Sequence, residues 1–576
     1  MTPSIILRRL MATAAIALSS CLTLTSWAQS AQTTQSVNTA TTPQTQQTCY
    51  DVVPLPRSIQ LTDGAPFVLD GEVRIGWKAG GGTEEEEGLR RVASFLQSYI
   101  EERTKLHLPI IRVSDKGDAT SRIIELSLDS NVQEKEGYKI FVSSSKVSVT
   151  GCAVSGVFYG VQTLRKSLPA LADNTAAIWP AAVIEDYPRF RWRGMMLDCV
   201  RHFFPLEFVK RYVDFLALHN MNTFHWHLTD DQGWRLEIKS CPELTQIGAW
   251  RDGTVIGNNS DVDDHTPHGG FYTQDEAREL IAYAAERFIT VIPEFEMPGH
   301  TKAFLASYPE LGCTGGPYRV GHHWGVYNDV LCIGNEDLYP RLQMIVDEIL
   351  DLFPTEYIHI GGDETPTVRW DNCPKCQAVQ LKKDETLQGH FTSRLEAYIL
   401  SKGKKMIGWD EVLATGAPAS ATIMAWRGTQ AGVNAAEAGH DVIMAPLTHC
   451  YFDYYQSENY FAEPSVTGMW PITVEKVYNL EPVPSSMSSE AKSHILGVQA
   501  NLWCEHITVP ATAEYMVLPR MAALAEVQWA DEAQRNYDAF RLRLDRLVRI
   551  YDEQGWQYAL HLWPDRQPKN RWELDY

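Results

Sequence analysis

The chain has 576 residues, 44% of them apolar, with 51 basic and 72 acidic side chains. That length and apolar content can bury a large core and point to more than one domain, which excludes a disordered or fibrous chain. The acidic balance disfavours nucleic acid as a partner, because phosphate contacts need clustered positive charge.

At the N-terminus, Arg8 and Arg9 precede an apolar run from Leu10 to Leu24, and Ser26-Trp27-Ala28 supplies a small-x-small cleavage pattern before Gln29. This reads as a secretory signal peptide over residues 1–28 and makes the mature protein periplasmic or secreted. A lipoprotein signal with lipid on Cys21 is the competing reading, but the apolar run continues past Cys21 through Leu22 and Leu24. Cleavage removes Arg8 and Arg9 and leaves 49 basic against 72 acidic residues, a net charge of −23. No later stretch approaches the roughly 20 apolar residues of a membrane helix, so no transmembrane segment is expected.

Residues 29–49 form a linker dominated by Gln, Thr, Ser, Ala and Asn, with no apolar period to bury and therefore expected to be disordered. Residues 50–185 read as a small α+β domain. Tyr138–Val142 and Lys146–Thr150 alternate like half-buried strands. One helix has Thr83 as its cap, Glu84–Glu87 against its positive start, and Leu89, Val92, Phe95, Leu96 and Tyr99 at helical spacing. A second contains Phe158–Leu168, and Pro169 and Pro180 mark the boundary beyond it.

From residue 186 to about 535, apolar strand-like stretches alternate with helical segments. They are Met195–Leu197, Thr223–Leu228, Val291–Phe295, Tyr357–Ile360, Lys405–Gly408, Thr422–Ala425, Val442–Ala445 and Ile495–Gln499. Eight strands alternating with helices are what a (β/α)8 TIM barrel requires, and such barrels carry their chemistry at the C-terminal strand ends. The fold class is thus α/β, a barrel preceded by the smaller α+β domain, with residues 536–576 as a terminal helix and tail.

The residues just beyond each stretch fit that placement. The ends carry Asp198, Arg201 and His202; Asp230 and Asp231; Glu296 and His300; Asp363 and Glu364; Trp409, Asp410 and Glu411; Trp426 and Arg427; Tyr451 and Asp453; Trp503 and Glu505. Tryptophans and carboxylates around one mouth suit a sugar, whose ring stacks on flat faces while its hydroxyls donate to acids. Trp192, Trp250, Trp370 and Trp529 are assigned to packing; Trp409, Trp426 and Trp503 stand apart because each directly follows a strand.

Two-carboxylate glycosidases place their acids about 5 to 10 Å apart across the scissile bond. Asp363 and Glu364, adjacent in "HIGGDE", leave one strand end in diverging directions and fit that scheme poorly. Asp363 is better placed to hold a substituent beside the reacting carbon, which is the substrate-assisted exception to the rule.

The motifs "RWRGMMLDCVRHFF", "HWHLTDDQGWR", "PEFEMPGH", "HIGGDE", "GWDE" and "LWCE" occur in order over most of the mature chain. In these the chain resembles glycoside hydrolase family 20, the β-N-acetylhexosaminidases. The resemblance implies a retaining exo-hydrolase in which the 2-acetamido oxygen of a terminal GlcNAc or GalNAc attacks the anomeric carbon to give an oxazolinium intermediate. It implies Glu364 as acid and base, with its pKa raised by partial burial, Asp363 on the acetamido N–H, and Tyr451 on the acetamido oxygen. His300 and Asp230 would tune the acid. Arg201, Asp453 and Glu505 would bind hydroxyls, and Trp409, Trp426 and Trp503 would surround the ring and its acetamido methyl. Glu296 stands where many relatives carry Asp, and Cys504 occupies a variable position. The expected partner is a carbohydrate; no cofactor or metal is implied, and assembly state is left open.

Two other readings remain. His225-Trp226-His227 puts two histidines on one strand face, and with His359 and Asp363 they could hold a metal in a barrel hydrolase. A glycan-binding barrel without turnover is the other, against which an intact "GGDE" argues. A chitinase-like family 18 barrel lacks support, since its spaced acidic strand motif is missing.

Ten cysteines remain after cleavage, an even number in a compartment that permits disulfides. Cys313 and Cys332 bracket a Gly-rich loop and are the expected pair; Cys373-Pro374-Lys375-Cys376 can close a small loop. A structural zinc site is the other reading of that short motif, disfavoured because no second such pair exists.

Overall fold

The computed structural model of the chain describes residues 48–78, 82–113, 122–169, 176–258, 262–466, 468 and 470–566. The expected leader, the alternative at Cys21, nearly all of the linker and the end of the tail lie outside them.

Eight parallel strands close into a barrel: Trp192–Asp198, Thr223–His227, Thr290–Glu294, Tyr357–His359, Lys405–Trp409, Thr422–Ala425, Val442–Met444 and Ile495–Ala500. Their runs are apolar because side chains on both faces are covered, by the barrel interior on one side and helices on the other. All eight coincide with stretches expected from sequence. The first begins three residues early, at Trp192, where Trp192, Arg193 and Gly194 pair with Gly497, Val498 and Gln499 of the last. Arg193 disguised that start. It is buried, and its guanidinium holds Glu136 of the preceding domain through contacts of 2.8 and 3.0 Å.

The preceding domain is a seven-stranded sheet flanked by the helices Thr83–Thr104 and Val154–Ser167. Thr83 does not cap the first helix but starts it; Gly82 precedes it, and Glu85 reaches back to accept the Gly82 N–H at 2.9 Å. The second helix is buried nearly all round. Gly160 brings it against the sheet, since a Cβ there would lie 2.5 Å from Val149, and Phe158 packs on Phe288 of the barrel at 5.2 Å. A cavity of about 790 Å³ lies at this junction, lined by Glu136, Arg191, Trp192, Thr223, Thr290 and Tyr357. Those barrel residues begin their strands, so this domain covers the N-terminal mouth and leaves the C-terminal mouth for chemistry.

The terminal helix Tyr537–Gln554 is capped by Asn536, whose side chain accepts the Ala539 N–H at 2.9 Å, and ends at Gly555 with φ 71°. No helix among the described residues is long and apolar enough to cross a membrane.

Two packing expectations fail. Trp250 is 51% exposed, on a two-residue strand outside the barrel, while Trp192, Trp370 and Trp529 are buried as expected. No disulfide joins Cys313 to Cys332 or Cys373 to Cys376, because the fold lays these four thiols together in one cluster.

Candidate active site

"HIGGDE" ends the fourth barrel strand at His359. Gly361 and Gly362 then take φ of 68° and 92°, a conformation that side chains resist. Space forbids side chains too: a Cβ on Gly361 would lie 1.6 Å from Glu296 Oε2, and one on Gly362 would lie 2.5 Å from Val412. The paired glycines thus turn the chain tightly and deliver the carboxylates of Asp363 and Glu364 to the mouth. Glu364 itself has φ 41°, and His300 facing it has φ 49°. Left-handed backbone at a non-glycine residue costs on the order of 1–3 kcal/mol, and here two such residues meet.

His300 is the hub. Its Nδ1 lies 3.1 Å from Asp231 and 3.3 Å from Asp230, while its Nε2 lies 3.5 Å from Glu364 and 3.8 Å from Asp363. Burial opposes its charge, but Asp230, Asp231 and Glu364 outweigh that and hold its pKa well above the usual value. The imidazolium in turn lowers Glu364: the hydrogen bond from His300 is the largest influence and exceeds the opposing desolvation. The expectation of a raised pKa at Glu364 is therefore corrected, since its side chain is 44% exposed and sits beside a cation. Burial raises Asp363 instead, to about 6.

Around this centre lie the other expected residues. Arg201 donates from Nη2 to Asp230 at 2.8 Å, from Nη1 to Asp198 at 3.1 Å and from Nε to Gln232 at 3.1 Å, with its guanidinium over the Trp503 ring at 5.0 Å. Tyr451 stacks with Trp426 at 6.0 Å and meets Trp503 at 6.4 Å. Trp426 and Trp503 are half-buried. Trp409 differs: only 1% exposed, it forms the floor and points its indole N–H at Glu296 Oε1, 3.4 Å away. Asp363 Oδ1, Asp453 Oδ1, Glu505 Oε2 and Glu296 Oε2 are buried with no hydrogen-bond partner among the described residues. Groups of that kind await a ligand donor or a proton. Burial, then repulsion from the Glu505 carboxylate, raises Asp453 well above its ordinary range.

Three residues of this region had no role assigned from the sequence, although Asp231 and Glu411 stand among the strand-end residues. Asp231, not Asp230, is the nearer partner of His300, and its other oxygen accepts the Lys302 N–H at 3.0 Å; the adjacent acids in "TDD" gave no means of choosing. Glu411 accepts the Trp426 indole N–H at 2.9 Å, and burial, then Asp363, raises its pKa to about 8. Glu294 is the third. Strand register sets it beside His227 and His359, and its carboxylate is hydrogen-bonded to His227, 3.0 Å from His225 and 2.9 Å from His359. An acid inside an otherwise apolar strand was the available signal. These histidines are fully buried and each turns a ring nitrogen on Glu294, whereas a catalytic metal needs an open position facing substrate.

The profile of the glycosyl hydrolase family 20 catalytic domain matches residues 190–532, and that of glycosyl hydrolase family 20, domain 2, matches residues 49–187. The chain belongs to glycosyl hydrolase family 20. A β-hexosaminidase from Porphyromonas gingivalis is 37% identical over 524 residues, 89% of this chain and 64% of that protein. Another from Akkermansia muciniphila is 33% identical, over 79% of this chain and 92% of its own length. A family 20 exo-β-N-acetylglucosaminidase from Vibrio harveyi, solved with N-acetylglucosamine, superposes with a TM-score of 0.76 at 33% identity, covering 89% of this chain and 79% of that one. The chain thus spans less than two thirds of the Porphyromonas relative. The family 20 barrel and its N-terminal companion are the architecture described above.

Proposed function

We propose that the protein is a retaining exo-β-N-acetylhexosaminidase that removes terminal β-linked GlcNAc or GalNAc by substrate assistance. One observation carries the reading. Asp363 and Glu364 both face the single nitrogen Nε2 of His300, so they lie on one side of the pocket and not across a scissile bond from each other. An acid-plus-nucleophile pair needs the opposite arrangement.

The unpartnered Asp363 Oδ1 would accept the acetamido N–H and offset the charge that grows as the acetamido oxygen attacks the anomeric carbon. Tyr451 would donate to that oxygen and keep it in line. Fixing the group as an intramolecular nucleophile is worth about 7 to 11 kcal/mol of barrier. Glu364 would protonate the leaving oxygen and then take a proton from the incoming water. The open lone pairs of Asp453 and Glu505 would accept from sugar hydroxyls, with Arg201 beside them, while Trp426 and Trp503 would wall the ring above the Trp409 floor. The leader expected at residues 1–28 would place this activity in the periplasm or outside the cell.

The test is release of chromophore from an aryl β-N-acetylglucosaminide, with a thiazoline analogue of the cyclic intermediate as inhibitor. The analogue should bind far more tightly than N-acetylglucosamine, and Glu364→Gln should abolish release. Equal affinity of analogue and sugar would defeat the mechanism; binding without any turnover by the wild type would mark a glycan-binding protein.

A further inference from the structure

Cys313, Cys332 and the Cys373–Cys376 turn come from three separate stretches of chain, yet the four sulfurs all lie within 4.8 Å of one another. Cys376 Sγ is 3.8 Å from that of Cys313 and 3.7 Å from that of Cys332, which is 3.6 Å from that of Cys373. A zinc ion bound tetrahedrally by thiolates at about 2.3 Å spaces its sulfurs about 3.8 Å apart. Two disulfides would sort four sulfurs into two pairs; here Cys332 and Cys376 each have two neighbours at the tetrahedral spacing. We propose that these four cysteines form a structural tetrathiolate zinc site that pins the roots of the loops flanking the active centre.

The surrounding backbone is built for such a site. Cys373-Pro374-Lys375-Cys376 opens a short turn of helix, closed by the Gln377 N–H on Cys373 O at 2.9 Å, so two thiols leave one turn together. Gly312 and Leu331 pair as an antiparallel bridge, which holds the arms bearing Cys313 and Cys332 side by side. The two halves then meet through Gly334, where a Cβ would lie 2.1 Å from Lys375 O. That glycine is what lets the backbones approach. Cys332, Cys373 and Cys376 are 1%, 3% and 2% exposed, so the site excludes water.

Metal uptake would be simple proton exchange: Zn²⁺ and four thiols give a dianionic tetrathiolate complex and four protons, with no electron transferred. Its structural reach extends to the catalytic region. The loop between Cys313 and Cys332 gives the Gly321 N–H to Asp231 O at 2.8 Å, accepts the Gln232 side chain on His323 O at 2.8 Å, and sets Asp329 2.8 Å from Arg369. Asp231 and Gln232 in turn touch His300 and Arg201. Clamping the loop at both ends limits how far these partners can drift.

The full chain, purified from zinc-supplemented cells without reductant, should carry about one zinc per chain by elemental analysis. Its four thiols should react only after denaturation with chelator, and Co²⁺ exchange should give the intense charge-transfer absorption of thiolate ligation. Chelation should lower the melting temperature and added Zn²⁺ should restore it. Cys376→Ser should lose the metal; should that variant fail to fold, Cys313→Ser, at the half-buried corner, should fold and bind zinc more weakly. A folded wild type without metal whose peptide map shows these cysteines cross-linked would overturn the proposal, as would iron in place of zinc.

Discussion

Two histidine–carboxylate clusters lie one above the other in this barrel, built from the same residue types and put to opposite use. The lower one, His225, His227 and His359 around Glu294, is sealed at 0% exposure. Burial opposes the charge of His227, but Glu294 and Asp230 raise its pKa to about 10, while burial lowers His225 to about 4. Near neutral pH His227 is thus held charged and His225 neutral. The upper one, His300 with Asp230, Asp231, Asp363 and Glu364, opens to the mouth, where the Glu364 side chain is 44% exposed and Asp363 Oδ1 has no partner among the described residues. The difference teaches where chemistry can occur: a closed cluster stores charge, and only an open one can exchange a proton with a ligand.

Substitutions should therefore separate the two by the property they damage. In the open cluster, Glu364→Gln should lower kcat by about 100- to 10,000-fold on a substrate with a poor leaving group, with the melting temperature nearly unchanged. Asp363→Asn should cost almost as much, because an amide could not offset the positive charge that the proposed mechanism develops. In the sealed cluster, Glu294→Gln leaves a buried imidazolium without its counterion and should cost about 3–5 kcal/mol of stability, read as a lower urea midpoint. If instead Glu294→Gln kept full stability and lost turnover, the closed cluster would belong to the chemistry.

The contrast also marks what sequence can convey. The eight barrel strands were legible because double-sided burial writes mostly apolar runs, and Thr422–Ala425 was placed to the residue. Asp363 and Glu364 were legible because two glycines before two acids serve no local purpose. Glu294 was hidden, since its partners sit on neighbouring strands and meet it only through register. The direction of the Glu364 pKa was misjudged for a related reason: His300 is 64 positions away in the chain, and its approach within 3.5 Å depends on two loops meeting. The cysteine cluster repeats the lesson, because Cys313 and Cys376 are 63 positions apart.

A milder effect is expected at the boundary of the open cluster. Asp231→Asn removes the nearer of the two carboxylates on His300 Nδ1 and loosens the ring, so kcat should fall about tenfold, the loss expected for about 1.4 kcal/mol of weakened positioning. The contact of Asp231 with Lys302 N–H would survive, so stability should change little. A loss as large as that of Glu364→Gln would move Asp231 into the group that handles the proton.

The smallest effect is a displacement of the pH profile. The proposed mechanism needs Asp363 ionised and Glu364 protonated, yet in the empty site burial lifts Asp363 to about 6 while His300 lowers Glu364. At intermediate pH the proton shared by the pair therefore sits on Asp363, and the productive arrangement is the minor one. In the proposed complex a bound sugar would reverse this: its acetamido N–H would stabilise the Asp363 anion, and its ring would desolvate Glu364 and favour the neutral acid. kcat/KM, which reports the free enzyme, should decline as pH rises past the upper pKa of the pair, near 6. kcat reports the complex, so its alkaline limb should lie at higher pH. His300→Asn removes the cation that favours the Glu364 anion, raises that pKa and should move both limbs upward. Coincident limbs in the wild type, or a downward move in His300→Asn, would show that the sugar does not exchange the protons of the two neighbouring acids.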